Sequence, residues 1–320
     1  MRIARVASIL IMTAVAVTTM HADVKTRQRT QLKFEGMMGR VMNMASGGAA
    51  DGITNTVAVR GTRKAEINDR TGRIVDLTEE RVYELDVRRR EYRIVTFAEL
   101  RAQWQKAKAD AERQAKDTPA DEREDLAQAG KEVEVTLDVK ETGATRSIAG
   151  HQAKQVMVTL TAFEKGSTLD VSGGMVMTND VWVTPRVAAL DEIAAFDMRF
   201  FKAVYGDDLM ATAQQMTAML AMYPSLQELW TRMETQLRAL DGTPLSTTMT
   251  IETVRSEAAM KQAPAAPTGG LGGALARRMG AGRAPEKRSL LVTSVSETQS
   301  IETAATDGDV AIPNGFRERK

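Results

Sequence analysis

Thr71-Gly72-Arg73-Ile74-Val75-Asp76-Leu77, then Val82-Tyr83-Glu84-Leu85-Asp86, then Glu91-Tyr92-Arg93-Ile94 follow one another with only short polar stretches between them. Tyr83, Leu85 and Val87 alternate with Glu84 and Asp86, and Tyr92 and Ile94 alternate with Glu91 and Arg93. A period of two puts successive side chains on opposite faces, so each run reads as a short strand with one buried and one wet face. A wet face points to an antiparallel sheet, because parallel strands are usually covered on both sides.

The same pattern extends in both directions. Upstream, Leu32 and Phe34 alternate with polar neighbours, and Val57, Val59, Ala65 and Ile67 flank Gly61. Downstream the period changes. Phe97, Leu100, Trp104, Ala107, Ala111 and Ala115 lie three or four apart, which predicts a charged helix from Phe97 to about Gln128 with a narrow apolar stripe. Strands return at Val133, Val135, Leu137 and Val139, which alternate with charged and threonine neighbours. Val156, Val158 and Leu160 follow a turn at Gly150-His151, and Val181-Trp182-Val183 stops at Pro185. A second helical block runs from about Val187 to Leu240. It carries Ile193, Phe196, Phe200 and Val204, then Met210, Met216, Leu220, Trp230 and Met233. Thr247–Val254 and Leu290–Thr303 read as the closing strands. Between them, Lys261–Lys287 holds three prolines and six glycines and reads as a flexible loop inside the domain. Leu271, Leu275 and Met279 in that loop fit either a transient membrane-surface contact or a plain hairpin tip.

The first 22 residues read as a secretory signal peptide. Arg2 and Arg5 precede the apolar run Val6–Val17, which is too short to span a bilayer, and Ala22 is a small residue at the expected cleavage point. Residues 23–320 then form one domain. Cleavage leaves 43 basic residues less Arg2 and Arg5 against 42 acidic ones, a balance that gives nucleic acid no basic face to bind. The chain has no cysteine, which excludes disulfides, thiolate metal sites, a Cys nucleophile and a lipid-modified N-terminus. A Cys-free exported chain suits the bacterial periplasm.

Little of the sequence suggests catalysis. His151 would be the single histidine of the exported chain, and it sits beside Gly150 in a turn with no partner constellation in sequence. The acidic pairs Glu79-Glu80, Asp121-Glu122, Glu124-Asp125 and Asp207-Asp208 fall in turns or on charged helix, and a content of 4% aromatic residues is poor for a carbohydrate site. Gly47-Gly48, Gly173-Gly174 and Gly269–Gly273 lack the phosphate-loop signature and read as turns. Arg88-Arg89-Arg90 reads as a polar hairpin tip with acidic neighbours. No metal or cofactor is expected. The chain has 19 methionines, and those of the second helical block fit either an adaptable apolar cavity or a core with flexible gap-fillers.

Three local features carry a family likeness. The strand succession Thr71–Tyr92 is one. Ile148-Ala149-Gly150-His151 with Val181-Trp182-Val183-Thr184-Pro185 is the second, and the closing Ile312-Pro313-Asn314-Gly315-Phe316 is the third. Together they resemble the lipoprotein-carrier group, the periplasmic and outer-membrane lipoprotein localisation factors and their exported relatives. That resemblance implies an α+β fold, a curved antiparallel half-barrel with helices covering one face, and an apolar cavity between them. The chain lacks the lipid-accepting cysteine of the outer-membrane receptor, so what the resemblance implies is a non-enzymatic binder of a lipid, acyl chain or other apolar ligand. Candidate lining residues are Trp182, Phe196, Phe200, Met216, Leu220, Trp230 and Met233. The alternative is an envelope sensor or scaffold that binds another protein through the Arg88–Arg90 cluster, the charged helix and the Lys261–Lys287 loop.

Overall fold

The computed structural model describes residues 23–35, 39, 49–117, 133–206, 242–262 and 286–319. The signal-peptide reading, the helix beyond Asp117, the second helical block beyond Gly206 and most of the Gly/Pro loop lie outside these residues.

Two antiparallel meanders make one sheet. The first holds β1 (Val24–Phe34), β2 (Ile53–Arg60), β3 (Arg63–Ile67), β4 (Thr71–Asp76), β5 (Arg81–Asp86) and β6 (Glu91–Thr96). The second holds β7 (Val133–Ile148), β8 (His151–Glu164), β9 (Gly174–Thr184), β10 (Thr243–Val254) and β11 (Arg288–Glu302). They join where β1 pairs with β11, and the two-residue β12 (Arg317–Glu318) adds in parallel to β6. The order is β12-β6-β5-β4-β3-β2-β1-β11-β10-β9-β8-β7. Among the described residues the sheet is accompanied by α1 (Phe97–Asp117), α2 (Leu169–Ser172), α3 (Ala188–Tyr205) and α4 (Glu257–Gln262).

The tight meander β3–β6 follows from one repeated device. Asn68 Oδ1 accepts from the backbone N–H of Arg70 and Thr71, Asp76 Oδ1 from Thr78 and Glu79, and Asp86 Oδ1 from Arg89. An Asx side chain that satisfies the turn's own amides fixes the reversal where the apolar alternation stops. In the last two turns the fourth residue after the aspartate, Glu80 and Arg90, takes positive φ of 51° and 55°. The arginine cluster is therefore the tip of the β5–β6 hairpin. Strand β4 begins at Thr71, because Asn68 closes the reversal before it.

Helix α1 begins at a capping box. Glu99 N–H donates to Thr96 Oγ1, and the Thr96 amide and hydroxyl both donate to the Glu99 carboxylate. Helix α3 buries Ala189, Phe196, Phe200 and Val204, one stripe at helical spacing, and ends at Gly206, whose N–H caps Lys202 O at 3.0 Å. That stripe packs on Val24, Val59, Val75, Val82 and Val95, which the register places on a single face of β1, β2, β4, β5 and β6. Lys64 and Arg73 share that face. The Lys64 ammonium is 2.7 Å from Asp197, and the Arg73 guanidinium lies over the Phe200 ring at 4.9 Å.

One expectation fails in this half. The opposite face of β2–β6 is not wet, because Ala58, Ala65, Ile74, Tyr83 and Leu85 are all buried. The chain after β11 crosses back over them, and Ala305, Val310, Ile312 and Phe316 complete that second core. The Ile312–Phe316 motif is thus the inner surface of a C-terminal strap. Its hold is polar. Arg60 donates to Asp307 (2.6 Å), Asp23 (2.8 Å) and the Ala305 carbonyl (2.7 Å). Lys25 pairs with Asp309 at 2.8 Å, and Asp309 also accepts from the Thr306 amide and hydroxyl.

These donors hold the Asp309 carboxyl at about 2, well below its ordinary value, with the Lys25 ammonium as the main cause. A depressed carboxyl pKa stabilises the fold fully above about pH 4, and this contribution disappears as the pH falls through about 2. Asp309→Asn should therefore cost about 1 kcal/mol at neutral pH. Its thermal midpoint should converge on that of the wild type between pH 4 and pH 2. Parallel curves over that interval would show that the strap is not anchored through this carboxylate.

Candidate functional site

The second meander is built differently from the first. Its register aligns one apolar side chain from each strand in a straight row: Leu137 opposite Leu160, Leu160 opposite Met177, Met177 opposite Ile251, Ile251 opposite Val292, and Val292 opposite Phe34 of β1. Five inter-strand spacings of about 4.8 Å make this row about 24 Å long. All six side chains are half-buried. Val135, Ala162 and Met175 extend the apolar surface on one side of the row. Val139, Val158, Met249 and Leu32 extend it on the other, interrupted by Asn179 and Ser294.

The neighbouring row on the opposite face reads Asp138, Thr159, Thr178, Thr250, Thr293 and Lys33. A one-residue slip would exchange these two rows and bring the threonine row onto the side of the apolar one. Threonine suits the second row because its β-branched carbon favours the strand.

Strand alternation along β1 puts Phe34 and Leu32 on the same side as Val24, the side on which α3 packs in the first meander. The apolar surface leads into a cleft of about 630 Å³ at the end of β8 and β9. Val156 and Val183 form apolar parts of its wall, and Lys154, Glu141, Thr145 and Arg186 stand around it. Arg186 is engaged by Asp191 at 2.7 Å.

Gly173 and Gly174 shape the other end of the strands. Gly173 caps α2 at φ 75°, and a Cβ there would come within 2.6 Å of the Val254 carbonyl oxygen, so only glycine lets β9 start this close to the end of β10.

The residues expected to line a cavity are placed as follows. Phe196 (0% exposed) and Phe200 (4%) are brought together in the core cluster beneath α3. Phe200 meets Phe97 edge-to-face at 5.4 Å. Trp182 belongs to a different cluster from this pair. It packs beside Ile148, Ala153 and Leu245, and the Arg146 guanidinium stacks over its ring at 4.3 Å. Met216, Leu220, Trp230 and Met233 lie outside the described residues. His151 opens β8 directly after the Ala149-Gly150 turn, paired with Ile148.

Leu160 and Phe34 are visible in the sequence as strand residues, but the alignment of Met177, Ile251 and Val292 with them depends on register. The chain matches no protein-family model and no curated protein. Among the described residues no helix is long and apolar enough to cross a membrane.

Proposed function

We propose that this protein is an exported, non-enzymatic carrier that holds a lipid, acyl chain or similar apolar ligand along the Leu137–Phe34 row. In this reading the sheet is the curved wall of a lipoprotein-carrier-like fold. Helices cover its apolar face, the leader is removed on export, and the mature protein works in the periplasm without a lipid anchor. The row itself is the observation that carries the proposal. It offers a continuous, uncharged strip about 24 Å long, half-buried, with methionine and branched aliphatic side chains that adapt to a flexible guest. Contact with an extended hydrocarbon along such a strip removes apolar area from water on both partners. Lys154 stands in the cleft to one side of the strip, six residues along β8 from Leu160, a cationic group suited to the head of an amphiphile.

The purified protein should carry bound lipid in native mass spectrometry, and it should bind a fluorescent fatty acid. Leu160→Lys and Met177→Lys each put an ammonium in the middle of the strip. Each should weaken binding of the fatty acid at least tenfold, while Thr159→Lys on the opposite face should not. Equal affinity in all three variants, or a protein that takes up no fatty acid at all, would remove the basis for a carrier.

A further inference from the structure

The two ends of the sheet differ among the described residues. At the β6 edge, β12 adds in parallel, with the Arg317 amide donating to Arg90 O at 3.0 Å and the Arg319 amide to Tyr92 O at 2.7 Å. At the other end of the order, β7 pairs with β8 alone among the described residues. It is a strand of 16 residues, and Val133 at its start is 40% exposed. An edge of this length, with no further strand on it among the described residues, is a template for another strand. Regular pairing with β8 is interrupted after Glu141. Residues 142–144 stand opposite the single Gln155, Gly143 takes φ of 80°, and the Thr142 hydroxyl donates to Gln155 Oε1. A bulge of this kind bends the strand and ends its usefulness as a template. The straight part of the edge is therefore Val133–Glu141, and its midpoint is Leu137.

We infer that this edge binds a second copy of the same chain, β7 against β7 in antiparallel register, with the two-fold axis at Leu137. The central seven residues, Glu134–Lys140, are self-complementary in that register, and Val133 faces Glu141 at either end. On the apolar face Leu137 meets its own counterpart, and Val135 meets Val139 twice. On the polar face Glu134 meets Lys140 twice and Thr136 meets Asp138 twice. Opposite charges directly across an antiparallel pair stabilise it, and like charges oppose it. A register centred on Asp138 would place that carboxylate against itself. A register centred on Leu137 uses every residue of the straight segment.

Because Leu137 is also the first residue of the apolar row, the two rows meet head to head and form one strip across both subunits. Each copy thereby completes the open end of the other's site. The inference stands on edge geometry and charge pattern, and it holds whether or not a lipid is the ligand.

The absence of cysteine from the chain makes the test clean. Light scattering on the purified protein at tens of micromolar should give twice the chain mass. Lys140→Glu and Glu134→Lys should each convert it to monomer without moving the thermal midpoint, and the double exchange of the two should restore the dimer. Leu137→Cys should form a disulfide between copies under mild oxidation, because residues directly opposed in an antiparallel pair bring their Cα atoms within disulfide range. Val139→Cys should not, since two copies of residue 139 would be about 13 Å apart along the strands.

A monomeric wild type would overturn the inference, and would leave Lys140 and the bulge as devices that keep the edge solitary. A dimer that ignores both charge reversals would also overturn it, as would a dimer that cross-links at 139 and not at 137. Loss of fatty-acid binding alone leaves these readouts untouched, so failure of the carrier reading and failure of this one are separable.

Discussion

Replacing Phe196 by alanine is expected to destabilise the fold by about 3–5 kcal/mol, the usual cost of deleting a fully buried aromatic ring. For a chain of this size that corresponds to a fall of about 10 °C in the thermal midpoint. The ring has no exposed surface, and it sits between α3 and the valines of the first meander. The neighbourhood has little freedom to collapse into the space, because Phe97, Phe200 and Val204 are themselves buried and fixed by the same contacts. Phe201→Ala is the matched control. That ring is 42% exposed and leans on Tyr205 at the helix surface, so its loss should cost under about 1 kcal/mol. The comparison separates two roles for Phe196. A residue of the packed core lowers the midpoint when cut back, whereas a residue lining a ligand space leaves the midpoint alone and changes binding. An unshifted midpoint with altered fatty-acid affinity would return Phe196 to the ligand site.

Ending the chain at Glu302 should have the largest effect of all. The strap supplies Val310, Ile312 and Phe316 to the second core, and each such side chain contributes about 1.5–3 kcal/mol when buried. Their joint removal, together with the Arg60–Asp307 and Lys25–Asp309 ion pairs, is a large part of the about 5–15 kcal/mol that holds an ordinary domain folded, even though Ile312 and Phe316 are only partly buried. It also bares Ile74, Tyr83 and Leu85 on a face with no other cover among the described residues. The truncated protein should be insoluble, or should bind a dye for exposed apolar surface and lose its cooperative unfolding transition. A soluble truncated protein with a sharp transition near the wild-type temperature would show that the strap is only an accessory.

The sequence is most readable where one physical signal acts alone. The strands β5 and β6 and the first part of β7 show strict alternation, and Thr96 with Glu99 marks the start of α1. The stripe Phe196, Phe200, Val204 marks α3 up to Gly206. Legibility fails where two surfaces compete for one strand. Ile74 and Val75 are adjacent and both buried, one under the strap and the other under α3. The strap itself has no period, since Ala305, Val310, Ile312 and Phe316 act through a 3-10 turn at Asp307–Val310 and a proline-containing reversal. The same competition hides part of the apolar row. In β9, Met175, Val176 and Met177 are consecutive apolar residues, so alternation cannot say which of them share a face. Only the pairing with Leu160 and Ile251 assigns Met177 to the row. The helical block carries the aromatic and methionine side chains that the sequence offers as a ligand wall. The strip identified by the register consists mainly of plain aliphatic strand residues.

The pairing of β1 with β11 has a kinetic consequence. Gln28 and Ser296, hydrogen-bonded across that seam at 2.7 Å, are 268 positions apart in the chain. Contacts this distant in sequence are the slowest to find one another, because the entropy of closing the intervening loop is lost before any bond forms. During synthesis β1 gains β2 early, but its other flank stays naked until Arg288–Glu302 emerges. Any nascent fragment shorter than that presents an adhesive strand at what will become the middle of the sheet. The last residues to arrive therefore complete the structure and also end its period of greatest danger of clumping, so the protein should depend heavily on holding factors until its final tenth is delivered.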